Sequence, residues 1–194
     1  MRKKSHISLA KYILESKGME ELNKCKKSFY VGSILPDCVP SFLTRKHNIE
    51  ETLDLLKTEI SNVTDKYDVT KGIDTYFCRH LGMIIHYVAD YFTFPHNSIY
   101  PGTMMEHCYY EKELKFAFRK YVKSEQAKRN RLLESAYNTP EEIVDFVKSM
   151  HDEYLKAIKR ISVDCHYIVE LCFRVVDAIL HYFENSRRVQ AAVM

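Results

Sequence analysis

Hydrophobic positions recur three or four residues apart along almost the whole chain, the spacing of helices with one buried face. Over 6–17, Ile7, Ala10, Ile13 and Leu14 form one stripe, with Ser5 placed to cap the start and Gly18 to stop it. Segment 20–35 is mixed and runs into GSILPDCVP, where Pro36 and Pro40 impose a loop around Asp37. Segment 48–60 predicts a helix with Ile49, Leu53, Leu56 and Ile60 inward. Segment 70–94 is apolar around much of its circumference, the pattern of a central, buried helix. Pro95 ends it, and Pro101 and Gly102 mark a loop over 97–103. Helix is predicted again over 104–124. Thr139-Pro140-Glu141-Glu142 is a start signal, with Thr as cap, Pro first and Glu third. Helices follow to about residue 160 and then to about 186. The polar stretch 124–138 reads as a loop or a frayed helix end. No strand-like alternation and no internal repeat is present, so the expected fold class is all-α.

Composition narrows the picture. The 194 residues suit a single domain, 1–194, with enough chain to bury a core without metal or disulfide staples. A metal site here is therefore expected to serve chemistry. Charges of both signs are spread along the chain and the formal net charge is only +3. That argues against a dedicated nucleic-acid binder, which usually carries a strong basic footprint. The six cysteines, Cys25, Cys38, Cys78, Cys108, Cys165 and Cys172, include no C-x-x-C pair and read as small buried hydrophobes. The opening MRKKSHISLAKYILE lacks an uncharged apolar core, and no apolar run is long enough to span a bilayer. A cytoplasmic protein with reduced thiols is expected.

The candidate chemistry is concentrated in HYVADYFTFPHN, residues 86–97. His86 and Asp90 are four apart, which puts both side chains on one helix face, one turn apart. His96 follows Pro95 at the helix end, and His107 and Glu111 repeat the four-residue spacing on the next helix. Upstream stand His6, Asp37 in its proline-bounded loop, and His47 before a helix. A His with an acid four residues later is uninformative alone, and His47–Glu51 and His166–Glu170 also show it. The triple H-x3-D-x5-H is rarer, and imidazole with carboxylate is a donor set suited to zinc.

The order His6, Asp37 in GSILPD, His47 in RKHN, HYVADYFTFPH and HCYYE resembles the zinc-dependent phospholipase C family. S1/P1-type nucleases, related to it, share the H-x3-D-x5-H and H-x3-E spacings. The resemblance runs from residue 6 to about 111. It implies an all-α domain with a cluster of two or three zinc ions. Carried over by motif, Asp37, His47, His86 and Asp90 would hold one zinc. Asp90 would bridge to a neighbouring ion that His6 also binds, and His96, His107 and Glu111 would hold the other. Secreted members begin with a Trp whose amine and carbonyl complete the third site. This chain has no Trp and five residues before His6, so a different ligand, more waters or weak occupancy is implied there. Choline-selective members place aromatic rings where Cys38 and Thr44 stand here, and a cation cage needs such rings.

The activity implied is hydrolysis of a phosphoester by a metal-activated water, phospholipase C-like, with Asp37 as candidate base or solely a ligand. A single-strand nuclease or nucleotide phosphatase using the same cluster is the alternative, and a non-catalytic helical metal-binding protein is the third. Glu106 reads as a solvated helix residue rather than part of the site. Tyr109 and Tyr110 would line a pocket or pack inside. His151, His166 and His181 read as structural, and His80, six before His86 and almost two turns away, is a weaker candidate to support the ligands. The basic run Lys120–Arg131 reads as a solvated face, with attraction to an anionic membrane or RNA as the other reading.

Overall fold

The computed structural model describes residues 1–39, 46–131 and 137–193. Its helices are α1 (Lys3–Glu15), α2 (Lys26–Ile34), α3 (Ile49–Val63), α4 (Thr75–Tyr91), α5 (Met104–Tyr121), α6 (Pro140–Lys156) and α7 (Ile161–Val193). Short 3-10 turns cover Glu20–Cys25, Leu35–Asp37, Val69–Lys71, Phe94–His96 and Glu125–Ala127. Among the described residues the only β pairing is an isolated bridge between Lys17 and Asn130. The all-α fold class expected from the periodicity is the one found.

Helix α4 is the centre of the molecule. Leu81 and Gly82 through Tyr91 are all buried, and α1, α2, α3 and α7 pack around it. Fully burying a Leu, Ile or Phe side chain stabilises by about 1.5–3 kcal/mol, and those of α4 and α7 join one continuous core. Asp74 caps α4 by accepting from the Phe77 amide at 2.8 Å. Two glycines set the closest helix contact. A Cβ on Gly32 would lie 2.0 Å from the Arg79 carbonyl oxygen, and one on Gly82 would lie 2.5 Å from that of Phe29. Only residues without a side chain let α2 and α4 approach this closely.

Several boundaries differ from expectation. α1 starts at Lys3, so Ser5 lies buried inside it rather than capping it. Its face is turned so that Ile7 is 36 % exposed instead of joining the core. Gly18 has φ +88°, a left-handed turn natural to glycine, three residues past the helix end. α7 continues to Val193, beyond the core, with most of its final two turns exposed. Thr139 and Glu142 form the capping box expected of them, with Pro140 first in α6. Cys78, Cys165 and Cys172 are buried, but Cys38 and Cys108 are exposed, against the expectation for them; none of the six is paired. The reading of Pro40 and Thr44 falls outside the described residues.

Candidate metal centre

The eight side chains singled out as ligands come from six separate stretches of chain and converge. Three sets of donors each lie within 4.8 Å of one another: His6, Asp37 and His86; His47, His86 and Asp90; His96, His107 and Glu111. Helix geometry fixes part of this, since His86 and Asp90 share one face of α4 with Nε2 and Oδ2 3.3 Å apart. The α2–α4 glycine contact fixes another part. It brings the Ser33 carbonyl to 3.0 Å from His86 Nδ1 and delivers the Leu35–Asp37 turn to the site. With Nδ1–H donating to Ser33, the lone pair of a neutral His86 is on Nε2, facing the other donors. His47 directly precedes Asn48, which caps α3 by accepting from the Glu51 amide at 3.0 Å. Its Nδ1 lies 3.1 Å from both His86 Nε2 and Asp90 Oδ2.

His96 occupies the turn after α4. Its Nδ1 donates to the His47 carbonyl at 3.3 Å, and its Nε2 lies 3.3 Å from Glu111 Oε1. His107 Nε2 is 3.5 Å from the same carboxylate oxygen. His6 stacks on His86 with ring centroids 4.0 Å apart, and its Nε2 is 3.4 Å from Asp90 Oδ1. Asp90 is the hub, within 4 Å of His6, His47, His86 and His96. Asp37 is at the edge, 3.7 Å from His47 Nδ1 and 3.9 Å from His86 Nε2.

The electrostatics favour a cation. Burial drives His6 down to about 3, reinforced by neighbouring His86, so its ring is neutral and able to donate a lone pair. Burial likewise lowers His96. Burial works against ionising Asp90, yet the terminal amine and the surrounding imidazoles hold it well below the usual carboxylate range. Glu111 is also held low, burial being outweighed by hydrogen bonds from His107 and His96. The α-amine of Met1 is fully buried here. It donates to Asp90 and lies 3.0 Å from His96 Nε2 and 3.4 Å from Glu111 Oε1. Burial opposes its charge, but Asp90 and Glu111 more than restore it, raising its pKa.

Two observations test whether these residues suit zinc. Among the described residues neither ring nitrogen of buried His6 makes a regular hydrogen bond, Nε2 having only its 3.4 Å approach to Asp90 Oδ1, a costly state for a polar group that a bound cation would relieve. The donors are five imidazoles and three carboxylates, a set matched to zinc rather than to an all-oxygen Mg2+ or Ca2+ site. The residues fit.

Residues 5–161 match the zinc dependent phospholipase C family. The chain belongs to this family. A search of curated proteins and one of solved structures each find no significant match. The zinc-dependent phospholipase C match spans all eight candidate ligands and ends at the start of α7.

Beyond that span, α7 still reaches the centre. Asp164 Oδ2 accepts from the Phe94 amide at 2.9 Å and from the Tyr110 hydroxyl at 2.8 Å, while Oδ1 accepts from Tyr154 at 2.7 Å. One buried carboxylate thus ties the His96 turn to the helix carrying Glu111. Asn97 donates to the carbonyls of Tyr91 and Thr93, and its Oδ1 accepts from His151 Nε2 at 2.7 Å. Sequence reading missed Asp164 and Asn97. The visible signal was a lone acid in the otherwise apolar start of α7. Glu106 caps α5 with Thr103 and is no part of the centre. Tyr109 is 59 % exposed, and Tyr110 packs inward. His80 pairs with Glu59, and His181 with the Asp177 carbonyl.

Proposed function

We propose that the chain, acting as one domain over 1–194, hydrolyses phosphoesters in the phospholipase C manner. The observation that carries this is the convergence of three donor sets, with Asp90 within 4 Å of an imidazole of each, in a chain that belongs to the zinc dependent phospholipase C family. His47, His86, Asp90 and Asp37 would hold one ion and His96, His107 and Glu111 another, with His6 beside Asp90. Clustered zinc, when bound, supplies charge neutralisation for the phosphate and lowers the pKa of a bound water.

The protein's own residues set up that chemistry. Asp90 has no exposed surface, so its charge acts in a poorly screened interior and holds the imidazoles in place. His86 and His96 are locked by hydrogen bonds to backbone carbonyls, which fixes the nitrogen each presents. Asp37, at 20 % exposed, is the carboxylate most open to solvent among the eight. It is the group we assign to orient and deprotonate the attacking water. No helix among the described residues is long and apolar enough to cross a membrane. The unpaired cysteines support a reducing compartment, the cytoplasm.

The test is assay of zinc-loaded protein on a phospholipid panel, a soluble phosphodiester and single-stranded nucleic acid. Release of phosphorylated head group is expected. Cleavage of nucleic acid alone would transfer the centre to nuclease chemistry. Fewer than two zinc equivalents with no hydrolysis would leave a non-catalytic metal binder.

A further inference from the structure

A groove of about 920 Å³ runs between α1 and the later part of α5, floored by the segment that follows α5. Of the seventeen described residues that line it, nine are Lys or Arg and Glu15 alone is acidic. That is an excess of eight positive charges on a chain whose formal net charge is +3, so the rest of the chain is net acidic. Lys11 pairs with Glu15, Lys128 with Glu125 and Arg129 with Glu170. Lys3, Lys4, Lys17, Lys115, Arg119 and Lys123 make no ion pair among the described residues. Between these cations lie apolar side chains open to solvent: Ile7 at 36 %, Phe116 at 59 %, and half-buried Val122. Like charges crowded around exposed apolar surface are unfavourable in isolation and become favourable against a partner that is both anionic and apolar.

We propose that this groove docks the protein on a bilayer containing anionic phospholipid, with the lysines on the lipid phosphates and Ile7, Phe116 and Val122 at the acyl boundary. Basic residues around aliphatic and Phe side chains are the composition of an interfacial anchor. A nucleic-acid strand is the poorer fit. Strand-binding grooves stack successive bases on several rings, and Phe116 is the one exposed ring here. Seven of the nine cations are Lys rather than the Arg that forks onto phosphate. None of the eight candidate ligands is among the described residues that line the groove. Glu111, Lys115 and Arg119 form a four-residue ladder along α5, and α1 carries His6 on its opposite, buried face. Docking does not depend on hydrolysis, so the two are separable by experiment.

The experiment is co-sedimentation of full-length, zinc-loaded protein with vesicles of phosphatidylcholine alone or mixed with phosphatidylglycerol. Binding roughly tenfold or more tighter to the mixed vesicles is expected, weakening as salt rises. The triple variant Lys17→Glu, Arg119→Glu, Lys123→Glu should lose that preference, and Phe116→Ser, alone, should weaken binding severalfold. Both should hydrolyse a soluble phosphodiester like the parent, because none of these residues is in the metal centre. Equal binding to both vesicles, or variants that bind like the parent, overturns the proposal. So does single-stranded polyuridylate binding more tightly than the mixed vesicles through the same residues. Vesicle binding by a protein inactive on every phosphoester would sink the hydrolase reading and leave the docking surface standing.

Discussion

Two parts of the candidate metal centre use the same chemical types but are held in different ways. His86 and Asp90 lie in the middle of a helix, with no side-chain exposure, at a spacing the helix itself fixes. His96, His107 and Glu111 come from a turn and from the next helix, and are 12 %, 22 % and 16 % exposed. The first group needs little beyond its helix and the glycine contact with α2. The second is assembled across a break in the chain, so it needs outside support, and α6 and α7 provide it through Tyr154, His151 and Asp164. Ligands within one element are set by local geometry, whereas ligands across a loop depend on residues distant in sequence.

The most severe way to break this contrast is Asp90→Asn, because Asp90 touches imidazoles of both groups. Metal measured by elemental analysis should fall on both sides and hydrolysis should drop to background. A variant with full metal content would remove Asp90 from its bridging role. Gly32→Ala should act on the buried group alone. The added methyl meets backbone of Arg79, so α2 must shift and draw the Ser33 carbonyl away from His86. Overpacking of this kind costs roughly 1–3 kcal/mol or more, readable as a lower urea midpoint. Weaker zinc at the His86 group should accompany it.

Asp164→Asn sharpens the other side. An amide has one accepting oxygen where the carboxylate receives three donors, so the His96 turn and Tyr110 lose their common anchor. Zinc affinity of the second group should fall by about 10–100-fold, the usual range for groups that orient ligands, while the first group keeps its metal. The same variant has a pH signature. Burial raises Asp164 to about 6 from an ordinary 3.8, outweighing its hydrogen bonds. Between those values the folded chain binds the proton more firmly than the unfolded one. This contribution to stability is therefore complete below about pH 4 and is lost as pH rises through about 6, up to about 3 kcal/mol. Urea titrations of chelator-treated protein should show the parent losing stability relative to Asp164→Asn over that window. A difference independent of pH would contradict the assignment.

The contrast also explains what could be read from the sequence. Most of the helices among the described residues were legible from apolar spacing or, for α6, from its start signal; α2 was not, because 20–35 has a mixed pattern, and α4 stood out because its apolar residues surround it. His86–Asp90 and His107–Glu111 were legible because four-residue spacing is a local property. Their meeting with His6, Asp37 and His47 came only through family resemblance, since periodicity says nothing of which faces converge. Asp164 was illegible for the same reason: its partners Phe94 and Tyr110 are 70 and 54 residues away. Ile7 was misplaced because its stripe matched the core pattern, and only the packing of α5 against α1 shows that it borders the cationic groove.

The smallest effect expected is at the start of α5. Thr103 and Glu106 form a reciprocal cap, with the Thr103 amide donating to Glu106 at 2.7 Å, one residue before His107. Thr103→Ala removes one half of that box on an exposed surface and should cost about 1 kcal/mol in urea unfolding. His107 and Glu111 lie within the helix beyond its first residues, and Glu111 is also held by His96. Zinc content and hydrolysis should therefore stay near those of the parent. If this surface change released metal as readily as Asp164→Asn does, the second group would be anchored by its own helix start, and the bracing role given to α7 would fail.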